Sequence, residues 1–161
     1  MKSMFRNITR VKQQLPKEEC IRLLQQQPRG VLSVMGDDGY PYGLPIDHWY
    51  NAADGCLYFH SGPTGHKVDA LRRSPKASFC VMDEGHRKDG DWALHIRSVI
   101  VFGKVEFVQD HAAAIELTRQ LSNKYTADAA YIQEEIDKYG HEVLVFKLIP
   151  ERITGKITKE S

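Results

Sequence analysis

The chain has no Cys-x-x-Cys pair, no low-complexity tract, no internal repeat and almost no net charge. Its three cysteines, Cys20, Cys56 and Cys80, are odd in number and far apart, which argues against a zinc ribbon or a redox dithiol. Each lies in an apolar stretch, where a buried, inert thiol is the usual case. The longest apolar runs are of the size of Val99-Ile100-Val101-Phe102, whereas a spanning helix needs about 20 such residues; no membrane partner is expected. Met1 to Arg6 is charged with no apolar stretch behind it, unlike a secretory signal, so a cytoplasmic location is the expectation. Lys and Arg total 22 against 21 Asp and Glu, a formal charge of +1. That balance offers duplex nucleic acid no electrostatic footprint, and no nucleic-acid partner is expected.

What remains is enough for one packed domain over residues 1–161, with 42% apolar residues in 18.4 kDa. Residues 1–15 read as a polar lead-in. Pro16-Lys17-Glu18-Glu19 opens a helix, since proline suits the first turn and acids suit the positive end of the helix dipole. A β meander follows: a strand over Gly30–Met35, a turn at Gly36–Gly39, a strand over Leu44–Tyr50, and a third over Cys56–His60 after Ala53-Asp54-Gly55. His66–Arg73 fits a short helix that stops before Pro75. Ala77–Met82 is the next strand, and a polar loop leads to a long one from Ala93 to Val108. In its second half Val105 and Phe107 alternate with Lys104 and Glu106, so one face is wet. In its first half, Val99 to Phe102, both faces are apolar, and a helix or a second subunit must cover the outer one. Two helical faces follow, Ala114-Leu117-Thr118-Leu121-Tyr125 and Ala129-Ile132-Ile136-Tyr139, the second stopped by Gly140. A last strand runs over Val143–Ile149 before Pro150. Six short-linked strands with late helices predict a mainly β fold, an antiparallel barrel with the helices packed outside.

The sharpest chemical feature is Tyr58 to Arg73. Ser61, Gly62, Thr64 and Gly65 stand between a strand and a helix start, with His66 and Lys67 in the first helical turn. Free N–H groups, hydroxyls and a lysine there suit an anion such as phosphate. The P-loop spacing is not met, because Gly62 and Gly65 are too close and Val68 follows the lysine; an ordinary surface helix start is the other reading. Pro45 marks Pro45–Tyr50 as an edge or interrupted strand, whose unpaired backbone can bond a planar heterocycle, or which simply packs its aromatics. Trp49, Tyr50 and Trp92 can stack on a flat ligand or serve in packing. The seven histidines include no His-Glu-x-x-His, and no metal site is expected. No Gly-x-Ser-x-Gly elbow appears.

The ordered set Gly30-Val31-Leu32-Ser33-Val34, Leu44-Pro45-Ile46, Leu57 to Gly62, Gly65 to Arg72, Ser98 to Val105 and Ile153-Thr154-Gly155-Lys156 resembles the FMN-binding split barrels of the pyridoxamine 5′-phosphate oxidase-like superfamily. Within it, the set is most similar to the nitroimidazole-resistance-type reductases. The resemblance implies a six-stranded split β-barrel that forms a homodimer through its sheet, with FMN in a groove between subunits. It implies that Leu44, Pro45, Ile46 and Asp47 run beside the flavin ring. His60-Ser61-Gly62 and His66-Lys67 would hold the phosphate, and Ser98, Val99 and Ile100 would complete the site. His48 and His60 are expected near the flavin, His60 as the candidate catalytic proton donor because an imidazole titrates near neutrality. A small-molecule electron acceptor, with NADH or NADPH as donor, is the expected chemistry. A flavin carrier, a redox sensor, or a barrel for haem or deazaflavin are the alternatives. The Arg- and Trp-rich C-terminal grip on pyridoxal phosphate in the true oxidases has no counterpart in Ile153 to Lys159, which argues against vitamin-B6 oxidation.

Overall fold

The computed structural model describes residues 4–160. It contains helix α1 (Lys17–Gln26), strands β1 (Arg29–Met35), β2 (Pro41–Asp47), β3 (Trp49–Asn51) and β4 (Cys56–Ser61), and helix α2 (His66–Arg73). Then come β5 (Lys76–Met82), β6 (Leu94–Phe107), helices α3 (His111–Asn123) and α4 (Ala129–Tyr139), and β7 (Leu144–Glu160). All seven strands form one antiparallel sheet in the order β2-β1-β5-β6-β7-β4-β3. The two edge strands, β2 and β3, are consecutive in the chain and separated only by His48. The sheet must therefore curl until its edges meet at that residue. The result is a split barrel.

Two expectations need correction. The strand expected over Leu44–Tyr50 is two strands, broken at His48, which raises the count from six to seven. The last strand does not stop at Pro150 but continues to Glu160. Its pairing with β6 shifts register between Phe102 and Gly103, where Phe102 faces Arg152 and Gly103 faces Pro150, leaving Glu151 as the extra residue. A bulge of that kind is where a residue without an N–H can be carried inside a sheet. Gly103 serves the same bulge: a Cβ there would lie 2.2 Å from the carbonyl oxygen of Ile149. Within the polar lead-in, Val11–Gln13 form a 3-10 turn and Gln14 bridges to Lys156.

Alternation sorts the side chains. Val99, Val101 and Val105 of β6 point into the barrel with Leu32, Leu57, Phe59, Phe79, Phe146 and Leu148. Cys20, Leu23 and Leu24 of α1 join the same core. Helix α3 covers the other face of the β4 end, burying Ala114 with Cys56, Tyr58 and Val145. The outer side of the long strand is different. Ile100 lies beside Cys80, which lies beside Val31, and Phe102 follows two residues on. Val31, Ile100 and Phe102 are each about 40% exposed. No helix covers them among the described residues; only Phe5 of the lead-in stacks on Phe102, at 5.6 Å.

Candidate functional site

The segment from β4 to α2 is built to leave backbone donors free. Gly65 is the N-cap of α2, with φ +132° and ψ 172° and no side chain to cap the helix. That region of backbone space is open essentially to glycine alone. The carbonyl of Gly65 accepts the Asp69 N–H at 3.0 Å, so the helix begins there, and the N–H groups of its first turn have no intrahelical partners. Gly62 and Gly65 both face open space. Lys67 is half-buried at the same turn and makes no hydrogen bond or ion pair among the described residues. The His66 ring is engaged elsewhere: it stacks on Tyr42 at 4.0 Å, accepts the Asp37 N–H at 3.4 Å and lies 3.7 Å from the Asp37 carboxylate. What His66 leaves for the loop is its own backbone N–H.

Asp47, His60, Ser61 and Gly62 come together on one wall of a cleft of about 470 Å³, whose other wall is the α3–α4 hairpin. The cleft walls take water from the His60 imidazole and hold its pKa below 6.5; Asp47 pulls it up and Lys67 pushes it down. Asp47 is bound by Arg29, Nε to Oδ1 2.8 Å. Ser61 Oγ donates to the Gly62 carbonyl at 2.6 Å.

His48 is not in this cleft. Its ring is fully buried, 4.7 Å from Phe79. Nε2 lies 2.8 Å from the Leu24 carbonyl, so Nε2 carries the proton and donates it, and Nδ1 is left buried without a partner. Burial, then the nearby Lys124 charge, lowers the His48 pKa to about 4. The strand break at His48 orphans its backbone groups, and the two residues that follow α3 satisfy them. Its N–H donates to the Tyr125 hydroxyl at 2.9 Å, and its carbonyl accepts from Lys124 Nζ at 2.9 Å. Lys124 also donates to Gln27 O at 2.7 Å, and the Tyr125 hydroxyl lies 2.5 Å from Pro28 O. Burial brings the Lys124 pKa down to about 8 and the Tyr125 pKa up to about 12. Sequence reading placed Tyr125 on an apolar helix face and missed this seam, whose partners lie some 77 residues apart.

The remaining expected residues fall elsewhere. Leu44 and Ile46 are half-buried against the core, which puts Pro45 on the outer side of the edge strand β2. Val99 points inward and is fully buried. Ser98 and Ile100 border a second cavity of about 320 Å³, with Thr9, Arg10, Thr154 and Lys156. The chain thus keeps the Ser98–Ile100 group and the cleft group at separate places. Among the described residues, no group of three or more His, Cys, Asp or Glu side chains could hold a metal ion, and no helix is long and apolar enough to cross a membrane.

The sequence model of the family described as pyridoxamine 5′-phosphate oxidase matches residues 16–157. The chain belongs to this family. Solved structures share the fold. A candidate 5-nitroimidazole antibiotic resistance protein from Bacteroides thetaiotaomicron is 23% identical with a TM-score of 0.75, over 91% of this chain and 87% of that one. A FAD-binding protein from Mesorhizobium loti is 23% identical with a TM-score of 0.64, over 90% and 96%. The flavocytochrome Anf3 from Azotobacter vinelandii is 19% identical with a TM-score of 0.75, over 94% and 72%. No protein of curated function matches the chain. Within the family, the cap-free start of α2 and the cleft beside it are the features of this chain that chemistry can use.

Proposed function

We propose that the protein is a homodimeric flavoprotein that binds FMN and reduces small-molecule acceptors, taking electrons from NADH or NADPH. The observation that carries the reading is the Ser61–Lys67 segment, where free first-turn N–H groups and the unpaired Lys67 meet beside an open cleft. A helix N-terminus with a lysine favours a dianionic phosphate, and the open space over Gly62 and Gly65 lets it approach the backbone. Flavin supplies the hydride and electron chemistry when bound. The chain's own residues do the rest. Lys67 and the loop N–H groups hold the phosphate, the outer edge of β2 at Pro45 to Asp47 orients the ring, and His60 passes a proton at the cleft wall.

The titration that tests this follows visible absorbance as FMN, and separately FAD, is added to the purified protein, before and after NADH or NADPH. Saturable binding of FMN with bleaching by a nicotinamide supports the reductase. Tighter binding of FAD moves the cofactor assignment, and bound flavin that no nicotinamide bleaches leaves a carrier or sensor. A Soret band in place of a flavin spectrum makes it a haem barrel.

The dimer rests on the part-exposed apolar patch of Val31, Ile100 and Phe102, on which only Phe5 packs and which a second copy would bury. A partner would also bring its Ser98–Ile100 edge to the flavin groove. Ile100→Asp places a charge in that contact. Light scattering is expected to give a dimer mass for the parent chain and a monomer mass with reduced flavin content for the variant. A flavin-loaded monomer in the parent chain overturns the dimer.

A further inference from the structure

The α3–α4 wall of the cleft has no part in holding a phosphate, yet it makes up most of the lining. It presents Leu121, Ile132 and Ile136 with three tyrosines, Tyr125, Tyr131 and Tyr139. The tyrosines are 38%, 52% and 62% exposed, which leaves part of each ring open to a ligand. The charged groups of the lining are Asp47, Glu135 and Glu142, with no lysine or arginine among them. Asp47 is neutralised by Arg29 at 2.8 Å, and Glu142 lies 3.6 Å from the His141 ring. Glu135, half-buried, has no ion-pair partner among the described residues.

From this lining we infer that the cavity is the acceptor site, and that it takes a flat aromatic molecule that is neutral or cationic and rejects anions. A volume near 470 Å³ is within the range of small-molecule pockets. Tyrosine rings stack on planar ligands. An unpaired carboxylate in a half-buried wall repels a like charge and is screened less than one on the open surface. Ser61 and Gly62 border the cavity, but Gly65 and Lys67, the donors at the start of α2, do not line it, which places a flavin phosphate at its edge and not within it. The hairpin is also held in place: Lys124 and Tyr125 tie the end of α3 to Gln27, Pro28 and His48. The wall is therefore a formed surface before any ligand arrives. Describing the ligand as an acceptor rests on the reductase reading above; its chemical class rests on the lining alone.

The test is calorimetric titration of the full, flavin-loaded chain with 2-methyl-1,4-naphthoquinone, which is neutral, and with 1,4-naphthoquinone-2-sulfonate, which is anionic. The neutral quinone is expected to bind at least tenfold tighter, and Glu135→Lys to narrow that preference severalfold. Ser122→Trp, which fills the cavity from α3, is expected to weaken the neutral quinone at least tenfold with flavin content unchanged. Tyr139→Ala, at an exposed position, is expected to weaken it severalfold without touching the fold. Equal affinities unaltered by Glu135→Lys overturn the charge selection. Unchanged quinone affinity in both Ser122→Trp and Tyr139→Ala overturns the site, and loss of flavin in Ser122→Trp gives the cavity to the flavin instead. Should the parent chain hold no flavin, the cofactor reading fails by its spectrum, while the same titration of the flavin-free chain still decides the cavity.

Discussion

Lys67→Ala is expected to weaken FMN binding by about 10- to 100-fold, the worth of one charge-assisted hydrogen bond of about 1.5–3 kcal/mol. Folding should hardly change. Lys67 is half-buried at the first turn of α2 and has no hydrogen-bond or ion-pair partner to lose among the described residues; substitutions of that kind usually stay within about 0.5 kcal/mol. Fluorescence titration of FMN alongside urea unfolding separates the two effects. Lys67→Arg keeps the charge and is expected to recover part of the affinity. Binding of parent strength in Lys67→Ala would remove the phosphate from α2, and with it the main support for a flavin at this place. The same substitution should leave quinone binding in the α3–α4 cavity nearly unchanged, because Lys67 does not line it.

The largest stability effect is expected from acid acting on His48. Its folded pKa is about 4 against an ordinary value of 6.5, so between those pH values the unfolded chain binds a proton that the folded chain refuses. Stability is therefore fully present above about pH 6.5 and is lost as pH falls toward 4. For one such group the loss between pH 7 and pH 5 is about 2 kcal/mol. Urea unfolding at the two pH values measures it. His48→Gln can still donate to the Leu24 carbonyl but cannot titrate, and its stability should fall less over the same interval by that amount. An equal fall in both chains would put the acid sensitivity on another group. The position gives this a functional reach, since His48 closes the two sheet edges and its backbone anchors the end of α3. Acid weakening here would loosen the wall of the cleft as well as the barrel.

Much of the architecture follows from local chemistry. The alternation of Val99, Val101 and Val105, the Asp54-Gly55 turn between β3 and β4, and the stop of α2 before Pro75 are decided by side-chain period, backbone freedom and the missing proline N–H. All act within a few residues, so they can be read along the chain. The same holds for the anion-suited start of α2, whose parts are contiguous from Ser61 to Lys67. The apolar outer face at Ile100 and Phe102 was legible too, as a surface that wants a cover.

The fate of His48 was not legible. An imidazole between an aspartate and a tryptophan in a strand looks like a ligand-facing side chain, and nothing within ten residues says otherwise. Only when seven strands curl until β2 meets β3 does that position become the seam, with its ring driven against Phe79 and its backbone handed to Lys124 and Tyr125. The continuation of β7 past Pro150 depends in the same way on a bulge opposite Gly103. So by itself the sequence determined most of the strands, their buried faces and the anion-suited loop, because those are local. The tertiary structure alone decided which histidine is buried and which faces the cleft, and that α3 and α4 supply its second wall. Those outcomes depend on contacts between residues far apart in the chain, which no local pattern records.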